Sequence, residues 1–217
     1  MSDFASRRVT MVDTQVRPSD VTKFPIIAAM LEIRREVFMP DAQREAAYVG
    51  ENIALGGGRV VLEARTLAKM LDALDIQPTE LVLDIGCGYG YSAAVIAHLA
   101  EAVIAVEADE TMAAEAQRRL SVEGVDNAVV VAGSLDRGAV KHGPYDAVLV
   151  QGGVEAVPDA VLDQIRDGGR MAAIFMSGAL GKAMVGYKSG GRVTWRFAFN
   201  AAAPVLPGFA AVRGFVL

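Results

Sequence analysis

The densest run of residues able to do chemistry is Leu81-Val82-Leu83-Asp84-Ile85-Gly86-Cys87-Gly88-Tyr89-Gly90-Tyr91-Ser92. An apolar stretch ends in Asp, alternating glycines follow, and a helical stretch starts near Ser92. Strand, turn and helix thus arrive in the order a nucleotide site requires. The glycines let the backbone approach a ligand with no Cβ in the way. A second apolar run, Ala102-Val103-Ile104-Ala105-Val106-Glu107, ends in a carboxylate 21 residues after Gly86. A parallel neighbour would set that carboxylate beside the same ligand, ready to accept hydrogen bonds from ribose hydroxyls. A ligand-free turn and a solvated strand end are the plain readings of each feature alone; together the two favour a site.

A dinucleotide fingerprint beginning at Gly86 and Gly88 wants its third glycine at position 91, where Tyr91 stands. This disfavours a nicotinamide-dependent oxidoreductase, for which no hydride-shuttling His or Tyr-Lys pair stands out either. Asp-x-Gly-x-Gly-x-Gly followed by an acidic end to the next strand instead resembles the S-adenosylmethionine site of Rossmann-like methyltransferases. That ligand carries a sulfonium cation and no pyrophosphate, so an acidic site edge formed by Asp84 and Glu107 suits it. The resemblance implies that Asp84, Gly86, Cys87, Gly88, Tyr89, Gly90, Glu107 and Ala108 hold the cofactor. Ser134 and Leu135, after the third strand, would flank adenine, and Gln151 with Gly152 would lie near the methyl-transfer zone. Cys87 is expected to serve through its backbone, since its thiol has no activating partner.

Toward the N-terminus the chain carries Val16-Arg17-Pro18, Ala28-Ala29-Met30, Arg34-Arg35-Glu36-Val37-Phe38-Met39-Pro40, Ala47-Tyr48 and Leu55-Gly56-Gly57-Gly58-Arg59. With Tyr91-Ser92-Ala93-Ala94-Val95 and Val205-Leu206-Pro207-Gly208, these resemble the protein-L-isoaspartate O-methyltransferase family over nearly the whole length. The resemblance implies methyl transfer from S-adenosylmethionine to the α-carboxylate of isoaspartyl residues in damaged proteins, by in-line displacement with no obligatory general base. One departure concerns the substrate loop. The family has Gln-Thr-Ile-Ser there, the Ser helping to position the reacting carboxylate, and this chain has Arg59-Val60-Val61-Leu62. Leu62 cannot hydrogen-bond a carboxylate, so no catalytic residue is assigned. The alternative is a family member that binds the cofactor but has lost isoaspartyl repair or uses another acceptor. Arg59, Glu63 and Arg65 are expected to face solvent, with a substrate contact the lesser reading.

The elements that must position these residues divide into two stretches. Residues 1–75 read as a helical extension carrying the substrate loop, with apolar faces through Phe24, Ile26, Ile27, Met30, Leu31, Ile33 and through Leu67, Met70, Leu71, Leu74, and a flexible or tightly turned glycine loop at 56–58. From residue 76 onward, short apolar runs at 81–85, 102–107, 128–132, 147–150 and 171–175 alternate with helix-length segments. Strands apolar on both faces belong to a parallel sheet covered on each side. Runs at 193–199 and 210–217 read as an antiparallel pair closing it, and Asp167-Gly168-Gly169-Arg170 as a structural turn into the fifth strand. The fold class expected is a three-layer α/β Rossmann-like methyltransferase sheet, mostly parallel, with an N-terminal helical extension, the whole forming one unit.

The chain's 217 residues, 53% apolar and 22% charged, exclude a disordered or collagen-like polymer. A net charge of -5 argues against a dedicated nucleic-acid or anionic-membrane binder. Charge is uneven: residues 76–163 carry 4 basic and 14 acidic side chains and residues 164–217 carry 7 and 1. The basic end reads as edge strands kept from pairing with other sheets. A single cysteine, with no secretory leader or apolar span, points to the cytoplasm. His98 and His142 have no metal-ligand companions, so no metal is assigned. Trp195 is expected to fill core. The oligomeric state is left open.

Overall fold

In the computed structural model, residues 3–211 are described. The chain opens with helix α1 (Phe4–Met11), capped by the Asp3 carboxylate accepting from the Ser6 amide at 3.1 Å. A π turn (Val12–Val16) and a 3-10 turn (Arg17–Ser19) lead to α2 (Phe24–Glu32), whose Pro25 sits in the first turn where no amide is needed. Two more 3-10 turns, Arg35–Phe38 and Asp41–Ala46, precede a small hairpin of β1 (Ile53–Gly56) and β2 (Arg59–Val61). Then follow α3 (Ala64–Leu74), β3 (Leu81–Ile85), α4 (Tyr91–Ala97), β4 (Ala102–Glu107), α5 (Glu110–Val122) and β5 (Ala128–Ala132). The last elements are β6 (Tyr145–Val154), α6 (Asp159–Leu162), β7 (Ile165–Ser177), β8 (Leu180–Ser189) and β9 (Arg192–Asn200).

Seven strands form one sheet in the order β5-β4-β3-β6-β7-β8-β9, parallel as far as β7 and antiparallel from β7 to β9. The strand order reverses between β3 and β6, and a crevice opens at the carboxyl ends of strands where it does so. Alternation along each strand splits the core. Val82, Val103, Ala105, Leu149 and Ile174 join the N-terminal helices, α3 and α4 in one apolar cluster. Leu83, Ile104, Val148, Val150 and Ala173 face the other way, where α6, short turns and Val205, Leu206 and Phe209 cover them.

Several sequence expectations need correction. The glycine loop at 56–58 is a tight turn as expected, with φ of 88°, 56° and 74°, but it is the tip of a two-stranded hairpin whose strands no sequence expectation covers. Its strands are too short to show alternation. The antiparallel pair is β8 with β9, so 180–189 supplies a strand that no sequence expectation covers. Residues 210 and 211 are not extended strand, and the rest of the expected 210–217 strand lies outside the described residues. The 167–170 run is inside β7, with Gly168 at φ 82°. There the Arg170 guanidinium donates to both Glu80 carboxylate oxygens at 2.7 and 2.8 Å, a structural role. Edge strand β9 exposes Arg192 and Arg196, and Trp195 is half-buried, edge-on to Phe175 at 4.7 Å. Among the described residues, no helix is long and apolar enough to cross a membrane.

Candidate active site

The turn between β3 and α4 is pinned to the neighbouring strand: the Gly86 and Cys87 amides donate to the Val106 carbonyl at 2.7 and 3.3 Å. Gly86 and Gly88 have φ of 84° and 59°, which side-chain-bearing residues rarely adopt. Val106 is followed by Glu107, fully buried at the end of β4. Its carboxylate accepts from the Gly88 and Ala108 amides, each at 2.8 Å. The sequence therefore brings the glycine turn and the strand-end carboxylate together as expected.

Asp84 is also fully buried, and its two oxygens accept from the Ser92 hydroxyl at 2.6 Å and the Gln151 amide at 2.8 Å. Burial raises its pKa to about 6, against the pull of those two hydrogen bonds. Gln151, from β6, thus braces β3 across the reversal point. Burial likewise pushes the Cys87 thiol well up, so a nucleophilic thiolate is disfavoured. Tyr89 is half-buried under the Arg119 guanidinium, 4.5 Å from its ring centre. Ala108 and Ser134 are exposed, the Ser134 hydroxyl donating to Asp136, whereas Leu135 is buried in the far apolar cluster. Among the described residues, no cluster of three His, Cys, Asp or Glu side chains is placed to hold a metal.

The substrate loop departs from expectation. Val60, Val61 and Leu62 are buried, and so is Arg59, at 5% exposure where solvent was expected. Its Nη2 and Nε donate to the two Glu107 oxygens at 2.7 and 3.2 Å, and Nη2 also donates to the Gly86 carbonyl. Glu63 is half-buried and Arg65 exposed. Sequence reasoning also missed Arg35. Wholly buried, it donates to the Ala47 and Leu62 carbonyls at 2.6 and 2.8 Å, with its guanidinium 4.6 Å from the centre of the Tyr91 ring.

The glycine turn and Glu107 have the shape and chemistry for a nucleoside, but the hairpin closes over them. A Cβ built on Gly86 would lie 2.7 Å from Arg59 Nη2, and one on Gly88 would lie 2.7 Å from Leu55 Cδ1. The space left between the loop, Gly86, Tyr91 and Gln151 is about 10 Å³. Small-molecule pockets typically hold roughly 300–1,000 Å³. The cradle fits the cofactor, and Arg59 and Leu55 of the hairpin lie against its two glycines.

The parallel sheet reversing between β3 and β6, with a glycine turn and an acidic strand end at that point, defines a Rossmann-like α/β protein with a nucleoside crevice at the carboxyl ends of those strands. Solved structures agree on the fold. A protein-L-isoaspartate O-methyltransferase superposes with a TM-score of 0.82 at 22% identity, over 94% of this chain and 67% of that one. A Plasmodium falciparum protein described as a putative protein-L-isoaspartate O-methyltransferase, in complex with S-adenosyl-L-homocysteine, gives 0.78 at 14% identity, over 96% of this chain and all of the other. Residues 8–187 match the family model for protein-L-isoaspartate(D-aspartate) O-methyltransferase. The protein-L-isoaspartate O-methyltransferase 2 of Pelobacter propionicus is 35% identical over 165 residues, 76% of this chain and 73% of the relative. That of Syntrophus aciditrophicus is 34% identical over 171 residues, 79% and 78% of the two chains. The chain belongs to the protein-L-isoaspartate(D-aspartate) O-methyltransferase family.

Proposed function

We propose that this protein methylates a carboxylate on a protein or peptide, the isoaspartyl group named by its family, and that the cofactor sits at the β3–β4 edge. The observation that carries the reading is the Glu107 carboxylate held against the Gly86–Gly90 turn at the reversal of strand order. When bound, S-adenosylmethionine supplies a methyl group already activated on a sulfonium. The acceptor carboxylate is ionised at neutral pH, so the chain has no proton to move. Its work is placement and the exclusion of water. Glu107 would accept from the ribose hydroxyls. The turn from Gly86 to Gly90, with Cys87 and Tyr89 between the glycines, would lie along the methionine end, and Asp84 holds that turn through Ser92. Ala108 and Ser134 would border the adenine, with Leu135 packing the wall behind. Buried Val60, Val61 and Leu62 keep the loop side dry.

A second reading keeps the cofactor and changes the acceptor. It is favoured by Leu62, 1% exposed, standing where the family has a carboxylate-positioning hydroxyl. The test is incubation with methyl-labelled cofactor and paired isoaspartyl and aspartyl peptides. Base-labile methyl ester on the isoaspartyl peptide alone supports the first reading. Cofactor binding with neither peptide labelled would replace it with the second.

A further inference from the structure

Arg59 holds the carboxylate that the proposed function gives to the cofactor's ribose. Through Arg59 and three backbone amides, those of Gly88, Ala108 and Asp109, the Glu107 carboxylate has its acceptor positions filled, leaving none for ribose hydroxyls. The guanidinium packs on Gly86 while Leu55, from the same hairpin, packs on Gly88, so two hairpin side chains fill the room that two glycines leave. Arg59 Nη1 is nonetheless buried without a partner. The guanidinium is therefore not fully satisfied where it sits, and a buried donor without an acceptor weakens the arrangement that contains it.

The hairpin is tied at both ends and packs Ile53, Val60 and Val61 into the apolar cluster beneath it. Asn52 accepts from the Glu63 amide and donates to the Ala202 carbonyl, both at 2.9 Å, and Arg35 holds the Leu62 carbonyl. Both feet are fixed, and residues 53–61 between them are joined to each other by only three residue pairs. We infer that Arg59 is an intramolecular competitor for the cofactor's ribose anchor, latching the hairpin shut on Glu107, so that the nucleoside binds only as Arg59 leaves. The inference rests on the proposed cofactor reading of this crevice. A binding-competent state populated at one part in a hundred weakens apparent affinity about 100-fold.

Titration calorimetry with S-adenosylhomocysteine on the wild-type chain, Arg59→Gln and Glu107→Gln tests this. Arg59→Gln should bind at least about tenfold tighter than wild type, and Glu107→Gln more weakly than wild type, opposite signs for two partners of one ion pair. Wild type binding as tightly as Arg59→Gln overturns the latch and leaves the cofactor reading standing. Failure of all three to bind at millimolar ligand overturns both. Amide hydrogen exchange on the wild-type chain gives a reading that needs no variant. Saturating ligand should speed exchange across residues 53–61, and unchanged or slower exchange there overturns the latch.

Discussion

Asp84 and Glu107 are both fully buried carboxylates, and their surroundings treat them differently. Asp84 has only neutral donors, and burial lifts its pKa to about 6. The folded protein thus keeps a proton that the unfolded chain releases near pH 4, and ionising Asp84 costs stability. That cost is absent below the unfolded value and complete above about pH 6. A rise of that size corresponds to about 3 kcal/mol. Asp84→Asn should therefore gain on wild type by up to this amount between about pH 4 and pH 7.5, read from urea midpoints at each pH; a pH-independent difference would contradict it. Glu107 has a guanidinium instead, and the pair is asymmetric. Glu107→Gln strands a buried cation and should cost about 3–5 kcal/mol. Arg59→Gln should cost clearly less, because Glu107 keeps the Gly88 and Ala108 amides. Equal midpoints for the two variants would refute that asymmetry. The residue pattern disclosed Asp84, the glycines and Glu107 because local order and spacing fix them. It hid Arg59, whose partner lies 48 residues away and is reached only by docking the hairpin.

At the scale of elements, apolar runs bounded by turn residues marked β3, β4 and β5 to the residue. The runs expected at 147–150 and 171–175 are the cores of longer strands, which continue through glycines and charged residues because neighbouring strands satisfy their backbone. Pairing, not composition, sets those ends. The same holds for β1 and β2, where Arg35 does from below what the sequence of the hairpin does not. Its planar fork joins the Ala47 and Leu62 carbonyls, and its face stacks on Tyr91. A lysine offers a point charge without fork or stacking face. Arg35→Lys should lower stability by about 2–3 kcal/mol, one charge-assisted hydrogen bond and its packing. Urea unfolding would show this as a lower midpoint at unchanged slope. A midpoint within error of wild type would mean that the fork is dispensable.

For the molecule as a whole, the apolar cluster on one face of the sheet decides how the chain unfolds. It runs without a break from Met11, Met30 and Phe38 through Leu71 to Val82, Val103, Ile174 and Phe199. The N-terminal elements thus have no separate core. Arg119 adds a polar tie, donating from α5 to the Val37 and Met39 carbonyls at 2.8 Å each. A perturbation at the N-terminal end should therefore be felt at the opposite edge of the sheet. Met30, in α2, is wholly buried, and Met30→Ala should cost about 2–5 kcal/mol through lost burial and the cavity left. Trp195, the one tryptophan, sits on edge strand β9 and packs against the other cluster. If residues 1–75 and the sheet share one cooperative transition, Met30→Ala shifts the Trp195 fluorescence midpoint and the far-ultraviolet dichroism midpoint by the same amount. Were the helical extension an independent unit, dichroism would report an early step while Trp195 kept its wild-type midpoint.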